Sequence, residues 1–364
     1  MEVVDVERQL LVALISKFAD RIHLDDQGHL TMEGPDWKPI ATLPILRSLE
    51  PGAGVVSALD AYTRLKAFVE TADKDRLRKA KLDLTPPQGV HFVDGGDNLF
   101  YDFVNTDRTL TELQLAGAEL QGRILDFGCS SGRNTAVITR AGLDRLEVFG
   151  ADPVPSSIEW AKENVPGAEF AVSQQEPPLP YDEASFDLAY AKSIWTHFSP
   201  RAARAWMEEI TRILKPGGHF FFTIHGPHDV ANRLVFDFPR PRYPNIANGE
   251  FPDKVSFLEA VIAGLRGDGH FFRPYTTVRT QGDLGKLEGA TTEDWGLMFM
   301  TTEYLQQHIL PPGLELVRFT PAATAGRLDG CVVRKSSSQR AASSTGPHRS
   351  SLRRVARSWL PRRG

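Results

Sequence analysis

Three groups of residues in this chain have types and spacings suited to chemistry. The first is a turn of small side chains, Gly128-Cys129-Ser130-Ser131-Gly132, which follows the apolar run Ile124-Leu125-Asp126-Phe127 and precedes Arg133. Small side chains let the main chain approach a ligand closely, and a helix starting there offers N–H groups to it. Gly128 and Gly132 are four positions apart, so the dinucleotide fingerprint G-x-G-x-x-G is not matched. A tight turn without a ligand is the plain alternative. The second is Asp152, which ends the run Val148-Phe149-Gly150-Ala151. It follows the turn by about 20 residues, where a carboxylate can accept hydrogen bonds from sugar hydroxyls or cap a helix. The third is a set of histidines, His197, His225 and His228. Imidazole titrates near neutrality, which suits a base that must take a proton from a hydroxyl. Packing or loop fixing is the alternative for each.

These groups need elements to hold them. Strands are expected at Arg123–Phe127, Glu147–Ala151, Glu169–Val172, Phe186–Ala191 and Gly218–Ile224, with helices at Asp107–Leu120, Arg133–Ala141, Pro155–Glu163 and Arg201–Leu214. That alternation predicts a parallel sheet with helices on both faces. The glycine turn, Asp152, His197 and His225 then all fall at C-terminal strand ends, where open α/β sheets bind ligands. A last helix, Thr302–Ile309, precedes strands Leu314–Phe319 and Gly330–Lys335, which read as an antiparallel hairpin at the sheet edge.

Around this core the chain divides into zones. Residues 1–106 read as a helical N-terminal extension, with apolar residues at helical spacing from Val6 to Phe18 and a further helix at Ser57–Lys81. Residues 107–335 form the main domain, and 227–300, rich in Pro, Phe and Gly, reads as an irregular inserted lid over the substrate. Residues 336–364 hold seven arginines and no Asp or Glu, the composition of a solvated, disordered tail. Contact of that tail with an anionic membrane surface is its alternative reading.

Composition narrows the function further. The 364 residues carry a net charge of −4, which counts against a nucleic-acid polyanion as the main partner. Two cysteines, Cys129 and Cys331, form no paired motif, so a disulfide framework or zinc cluster is not expected and a reducing compartment is. The apolar run near the start, Leu10–Ile15, is short and follows acidic residues, unlike a signal peptide or a membrane span. A cytoplasmic location is the expectation.

Taken in order, the motifs resemble those of the class I S-adenosylmethionine (SAM)-dependent methyltransferases. Ile124–Arg133 resembles the SAM loop of that family and Asp152 its ribose-binding acid. Phe186–Phe198 resembles the fourth strand with its substrate-facing loop, and Leu214–Gly218 the turn before the fifth strand. The likeness spans about residues 107–226, and more weakly the final hairpin. It implies a Rossmann-like α/β sheet, mostly parallel with a C-terminal antiparallel hairpin, and SAM as cofactor. The SAM contacts it implies are Asp126, Phe127, Gly128, Cys129, Ser130, Ser131, Gly132, Arg133, Asp152, Pro153, Gln174, Gln175, Lys192 and Ser193. Many members have Gly where this chain has Ser130.

The acceptor implied is a hydroxyl of a small molecule or glycan, with His225 or His197 as base and Tyr190, Trp195 and His228 touching substrate. N- or C-methylation of a secondary metabolite, and a SAM-binding scaffold without activity, are the alternatives. No compact carboxylate cluster lies near the fourth strand, so no metal is expected. No Asn-Pro-Pro-Tyr-like motif follows that strand, which again counts against a nucleic-acid substrate. The sequence specifies no oligomeric state.

Overall fold

The computed structural model describes residues 22–24, 30–32, 99–140, 145–230, 251, 254–275, 293–324 and 328–337. The helices expected at Val6–Phe18 and Ser57–Lys81, and the tail beyond residue 337, lie outside the described residues. Strands β1 (Ile22–Leu24) and β2 (Leu30–Met32) form a small antiparallel pair.

The remaining elements run α1 (Leu99–Leu115), β3 (Gly122–Phe127), α2 (Arg133–Arg140), β4 (Leu146–Asp152), α3 (Pro155–Asn164), β5 (Ala168–Val172), β6 (Phe186–Ala191), α4 (Pro200–Ile213) and β7 (Leu214–Ile224). Then follow α5 (Lys254–Gly267), β8 (His270–Pro274), β9 (Gly296–Met300), α6 (Thr302–Tyr304), β10 (Leu314–Thr324) and β11 (Leu328–Lys335). Seven strands form one sheet in the order β10-β11-β7-β6-β3-β4-β5. Strands β7 through β5 are parallel, whereas β11 runs antiparallel to both β7 and β10. This is the Rossmann-like sheet with its antiparallel edge. Connections leave β3 in opposite directions, so a crevice opens at its C-terminal end, between β3 and β6.

Side-chain alternation along the strands builds a core on each face. On one, Ile124, Val148, Leu188, Tyr190 and Phe221 pack under Leu110 and Leu113 of α1 and Val137 and Ile138 of α2. On the other, Leu125, Phe149, Ala189, Phe220 and Phe222 meet Trp206, Met207, Ile210 and Ile213 of α4. Each large apolar side chain buried this way stabilises the fold by about 1.5–3 kcal/mol. Helix α4 starts where Ser199 Oγ accepts from the Ala202 N–H at 3.2 Å and Pro200 takes the first turn, whose N–H would lack a helical partner anyway.

Several expectations need correction. Helix α1 begins at Leu99 rather than Asp107, so it straddles the boundary drawn at residue 106. The zone 227–300 is not simply irregular. It contains α5, whose Phe257, Leu258, Val261 and Leu265 are buried at helical spacing, and the antiparallel pair β8–β9. Met298 and Met300 of β9 join the core beneath α4. The last helix has one α-turn and continues as a π-helical turn, Leu305–Ile309.

Candidate functional site

The glycine turn joins β3 to α2, and its backbone explains its residue types. Gly128, Ser130 and Gly132 adopt φ of 76°, 49° and 74°. Only glycine takes such angles without strain, so Ser130 sits where glycine is the relaxed choice. Its N–H donates to Asp152 Oδ2 at 2.8 Å, and the Val154 N–H donates to Asp152 Oδ1 at 3.0 Å. Asp152 thus clamps the turn to the end of β4. A Cβ at Gly128 would overlap the Ile194 side chain, which closes that flank of the turn.

Burial raises the Asp152 carboxyl to about 6, with partial relief from the Val154 and Ser130 N–H groups. Asp126, at the end of β3, is likewise raised by burial to about 6, against the hydrogen bond that Thr135 Oγ1 donates at 2.7 Å. Lys192 Nζ donates to Asn134 Oδ1 at 3.3 Å, tying the end of β6 to the first turn of α2. Ser193 is a second strained residue, at φ 58°, held by its N–H donating to Thr223 Oγ1 at 2.8 Å. Non-glycine residues in this region cluster at ligand sites because the surrounding structure must enforce them.

These residues fit SAM. Each carboxylate oxygen of Asp152 accepts one main-chain N–H, and a carboxylate has acceptor capacity left for ribose hydroxyls. Gln175 Nε2 is buried without a partner, a donor that an adenine ring nitrogen would satisfy. Gln175 also lines a cleft of about 280 Å³ with Phe198, Arg201, Trp206, Asp294 and Trp295. Ser131 and Arg133 are buried at the start of α2, Pro153 is half-buried beside Asp152, and Gln174 is exposed. The side chains of Phe127 and Cys129 enter the core: Phe127 lies 4.8 Å from the Trp206 ring, and Cys129 packs with Phe170 and Ile158. Only their main chain can face a ligand.

The histidines gather over the other half of the sheet edge. His225 follows β7, and its Nδ1 lies 2.7 Å from Asp229 Oδ2 with both residues buried. A carboxylate only accepts, so Nδ1 carries the ring proton and the basic lone pair falls to Nε2. His197 Nδ1 contacts Tyr275 Oη at 2.6 Å and Gly296 O at 3.0 Å; a carbonyl only accepts, which favours the same tautomer. The two imidazoles stand edge to face, centroids 6.3 Å apart. Trp295 stacks on His197 and Phe299 on His225, so the strand pair β8–β9 supplies the wall. His228 lies three residues further along the chain, its Nδ1 3.3 Å from Asp329 Oδ2.

Tyr190 and Trp195, expected at the substrate, are fully buried. Tyr190 points into the core beneath α1, and Trp195 Nε1 donates to Ala203 O at 3.1 Å within the α4 core. Neither offers a face to an acceptor, because the strand and loop that carry them are covered on that side. Asp229 and Asp329 were not singled out from sequence, and no reading paired Tyr275 with a histidine. The spacing of His225 and Asp229, four apart where the chain leaves β7, was a signal that could have found the first. Tyr275 and Asp329 lie 78 and 101 residues from their histidines, and nothing local announces them. Among the described residues no three His, Cys, Asp or Glu side chains converge as metal ligands, and no helix is long and apolar enough to cross a membrane.

Comparison with known proteins agrees with the donor side of this geometry. The methyltransferase domain family matches residues 125–222, from β3 to β7. A phthiotriol/phenolphthiotriol dimycocerosates methyltransferase of Mycobacterium leprae is 31% identical over 223 residues, covering 54% of this chain and 78% of that protein. A second protein described in these terms, as probable, from Mycobacterium ulcerans, is 30% identical over 117 residues, 32% of this chain and 42% of that one. The biotin biosynthesis bifunctional protein of Cellvibrio japonicus is 29% identical over 221 residues, 55% of this chain and 40% of its own length. A solved SAM-dependent methyltransferase from Methanosarcina mazei aligns at 19% identity and a TM-score of 0.39, over 60% of this chain and 94% of its own. The M. leprae relative is matched over most of its length, and the domain match falls on the strands that carry the clamped turn and Asp152, so the chain belongs to the class I SAM-dependent methyltransferases.

Proposed function

We propose that this methyltransferase acts on a hydroxyl of a lipid-like small molecule, with His225 as general base and Asp229 as its orienting partner. The observation that carries the reading is the 2.7 Å contact between His225 Nδ1 and Asp229 Oδ2 at the C-terminal end of β7. When bound, SAM supplies a methyl group on a positively charged sulfur that departs as a neutral thioether. The chain must align the acceptor oxygen, exclude water and take one proton. His225 Nε2 takes the hydroxyl proton as the oxygen attacks, and Asp229 offsets the imidazolium charge that results. A nitrogen or carbon nucleophile would have less use for such a pair.

A lipid-like acceptor, rather than a glycan, is supported by the relatives named for phthiotriol, by name a triol, and phenolphthiotriol dimycocerosates. It is also supported by the apolar build of the segment after β7. Val230, Phe257, Leu258, Val261, Leu297 and Phe299 form one buried cluster, and Phe299 lies against His225. In this reading that segment is the lid over the acceptor.

The test is an acceptor screen that measures S-adenosylhomocysteine release with long-chain alcohols, diols, phenols, glycans and amines. Methyl transfer to a lipid hydroxyl, lost in both His225→Ala and Asp229→Ala, is the expected result. Transfer to nitrogen or carbon at an unchanged rate in His225→Ala would overturn it.

A further inference from the structure

The cleft of about 280 Å³ opens between the segment after β5, the first turns of α4 and the entry to β9. Among the described residues, neither the clamped turn nor Asp152 lines it. Phe198, Trp206 and Trp295 supply its aromatic wall. Phe198 stacks on Trp206 with centroids 6.2 Å apart, and Trp295 meets Phe198 edge to face at 5.5 Å. Ala202 and Ala205, three apart and so on one side of α4, leave room that longer side chains would occupy. Charged side chains make the rim. Arg201 pairs with Glu176 at 2.8 Å and with Asp294, which also accepts from Ser199 Oγ at 2.6 Å. One cation against two carboxylates disfavours an anionic occupant. The Gly296 N–H donates to His197 O at 2.7 Å and the Ser199 N–H to Asp294 O at 3.0 Å, so the entry to β9 is fixed in place and the cleft is preformed. Trp295 belongs to both sites, since its ring lines the cleft and stacks on His197 at 5.4 Å.

We infer that this cleft binds an uncharged aromatic ring of the acceptor, carried further along the molecule than the hydroxyl that is methylated. The inference rests on the hydroxyl-acceptor reading above. Aromatic rings gain from edge-to-face and offset contacts beyond the area they bury, and a saturated ring of the same skeleton does not. An apolar cavity of about 150 Å³ is enough to bind benzene, so this volume takes a ring with substituents. Trp295 is the shared wall: a ring held against it lies beside His197, and the chain that joins ring to hydroxyl passes over the acceptor wall. The ring then fixes how far from it the methylated oxygen stands. Gln175, which fits adenine, lines the same cleft, so the ring and the donor are neighbours and bind together.

The experiment is calorimetric binding of 6-phenylhexan-1-ol and 6-cyclohexylhexan-1-ol, which share a carbon skeleton, to the full chain with and without S-adenosylhomocysteine. With it bound, the phenyl alcohol is expected to bind about threefold or more tighter, although the cyclohexyl group is the more hydrophobic. Ala205→Phe, which fills the cleft from the half-buried side of α4, should bring that ratio close to one. Ala205→Leu, a smaller plug, should act in the same direction, with retained S-adenosylhomocysteine binding as the check that each variant is folded. Equal binding of the two alcohols by the wild type, or a phenyl preference that survives in both variants, overturns the inference and leaves the hydroxyl-acceptor reading standing. A phenyl preference seen only without S-adenosylhomocysteine gives the cleft to adenine and overturns it too. If S-adenosylhomocysteine binds and neither alcohol does, the cleft takes no ring and the inference fails, while the acceptor screen above decides the hydroxyl reading separately.

Discussion

Over β3 and β4, the sheet edge faces its ligand with main chain. Gly128, Ser130 and Gly132 present a turn bent by positive φ, and Asp152 secures it through two N–H groups. Over β7 and β11, the same edge carries side chains in pairs: His225 with Asp229, His197 with Tyr275, His228 with Asp329. The first half is set by one stretch of chain from residue 126 to 154. The second combines the local pair of His225 and Asp229 with partners that lie 78 and 101 residues apart in the chain. A donor common to a whole family can be held by main chain, which every residue carries. An acceptor particular to one enzyme needs side chains, which change without disturbing the sheet.

The sharpest way to separate the halves is to remove the proposed base. His225→Ala should lower kcat by about 100- to 10,000-fold, the usual span for a general base. Asp229→Ala should follow it, since an imidazole without its carboxylate loses both tautomer and orientation. SAM affinity, measured by calorimetry, should stay within a few-fold of wild type in both. If either variant loses SAM binding, the two halves are one cooperative site and the comparison fails.

The converse experiment attacks the main-chain half. Asp152→Ala removes the acceptor of two buried N–H groups along with the ribose contact proposed for it. It should weaken SAM about 10- to 100-fold, as expected for hydrogen bonds to a charged group. Gly132→Ala should act in the same direction, because φ of 74° is strained for alanine and its Cβ would press on the Phe170 ring at 3.0 Å. Neither change should alter the preference among acceptors.

How much of this was legible follows the same division. Each strand from β3 to β7 was found from its apolar run and bounding turn, because a buried parallel strand is a local signal. The clamped turn was legible for the same reason. The strand Phe186–Ala191 shows the limit: both of its faces are buried, so alternation could not tell that Tyr190 points into the core. In α5, Phe257, Leu258, Val261 and Leu265 carry a helical period that the surrounding Pro and Gly obscured. The carboxylate of Asp329 reaches His228 only because β11 pairs beside β7, and that is a fact of topology.

A smaller effect comes from pH. With the folded carboxyls of Asp152 and Asp126 raised to about 6, both take up protons as pH falls through that value. The ionised Asp152 is the stronger acceptor for ribose hydroxyls, so SAM affinity should be full above pH 6. Below it, affinity should decline by up to about tenfold per pH unit for each proton that must leave. Stability should run the other way. These folded carboxyls hold protons that the unfolded chain, near 3.9, has released, so their contribution is fullest below about pH 4 and is lost as pH rises through 6. Calorimetry at pH 5, 6 and 7, beside thermal melts in the same buffers, reads both slopes. A flat affinity profile would mean that the Asp152 carboxylate does not face the ribose.

The smallest change tests which histidine is the base. Tyr275→Phe keeps the ring that lies 5.8 Å from His197 and deletes one hydroxyl. Gly296 O still accepts from His197 Nδ1 at 3.0 Å, so the tautomer survives and only the second contact is lost. If His197 merely shapes the acceptor wall, the loss is that of one hydrogen bond, about 1 kcal/mol. It should appear as a rise of up to about fivefold in acceptor KM with kcat nearly unchanged. A fall in kcat approaching that of His225→Ala would mean that the proton leaves through His197 and Tyr275. The side-chain half of the edge would then have its chemical centre after β6, with His225 and Asp229 left to hold the acceptor in place.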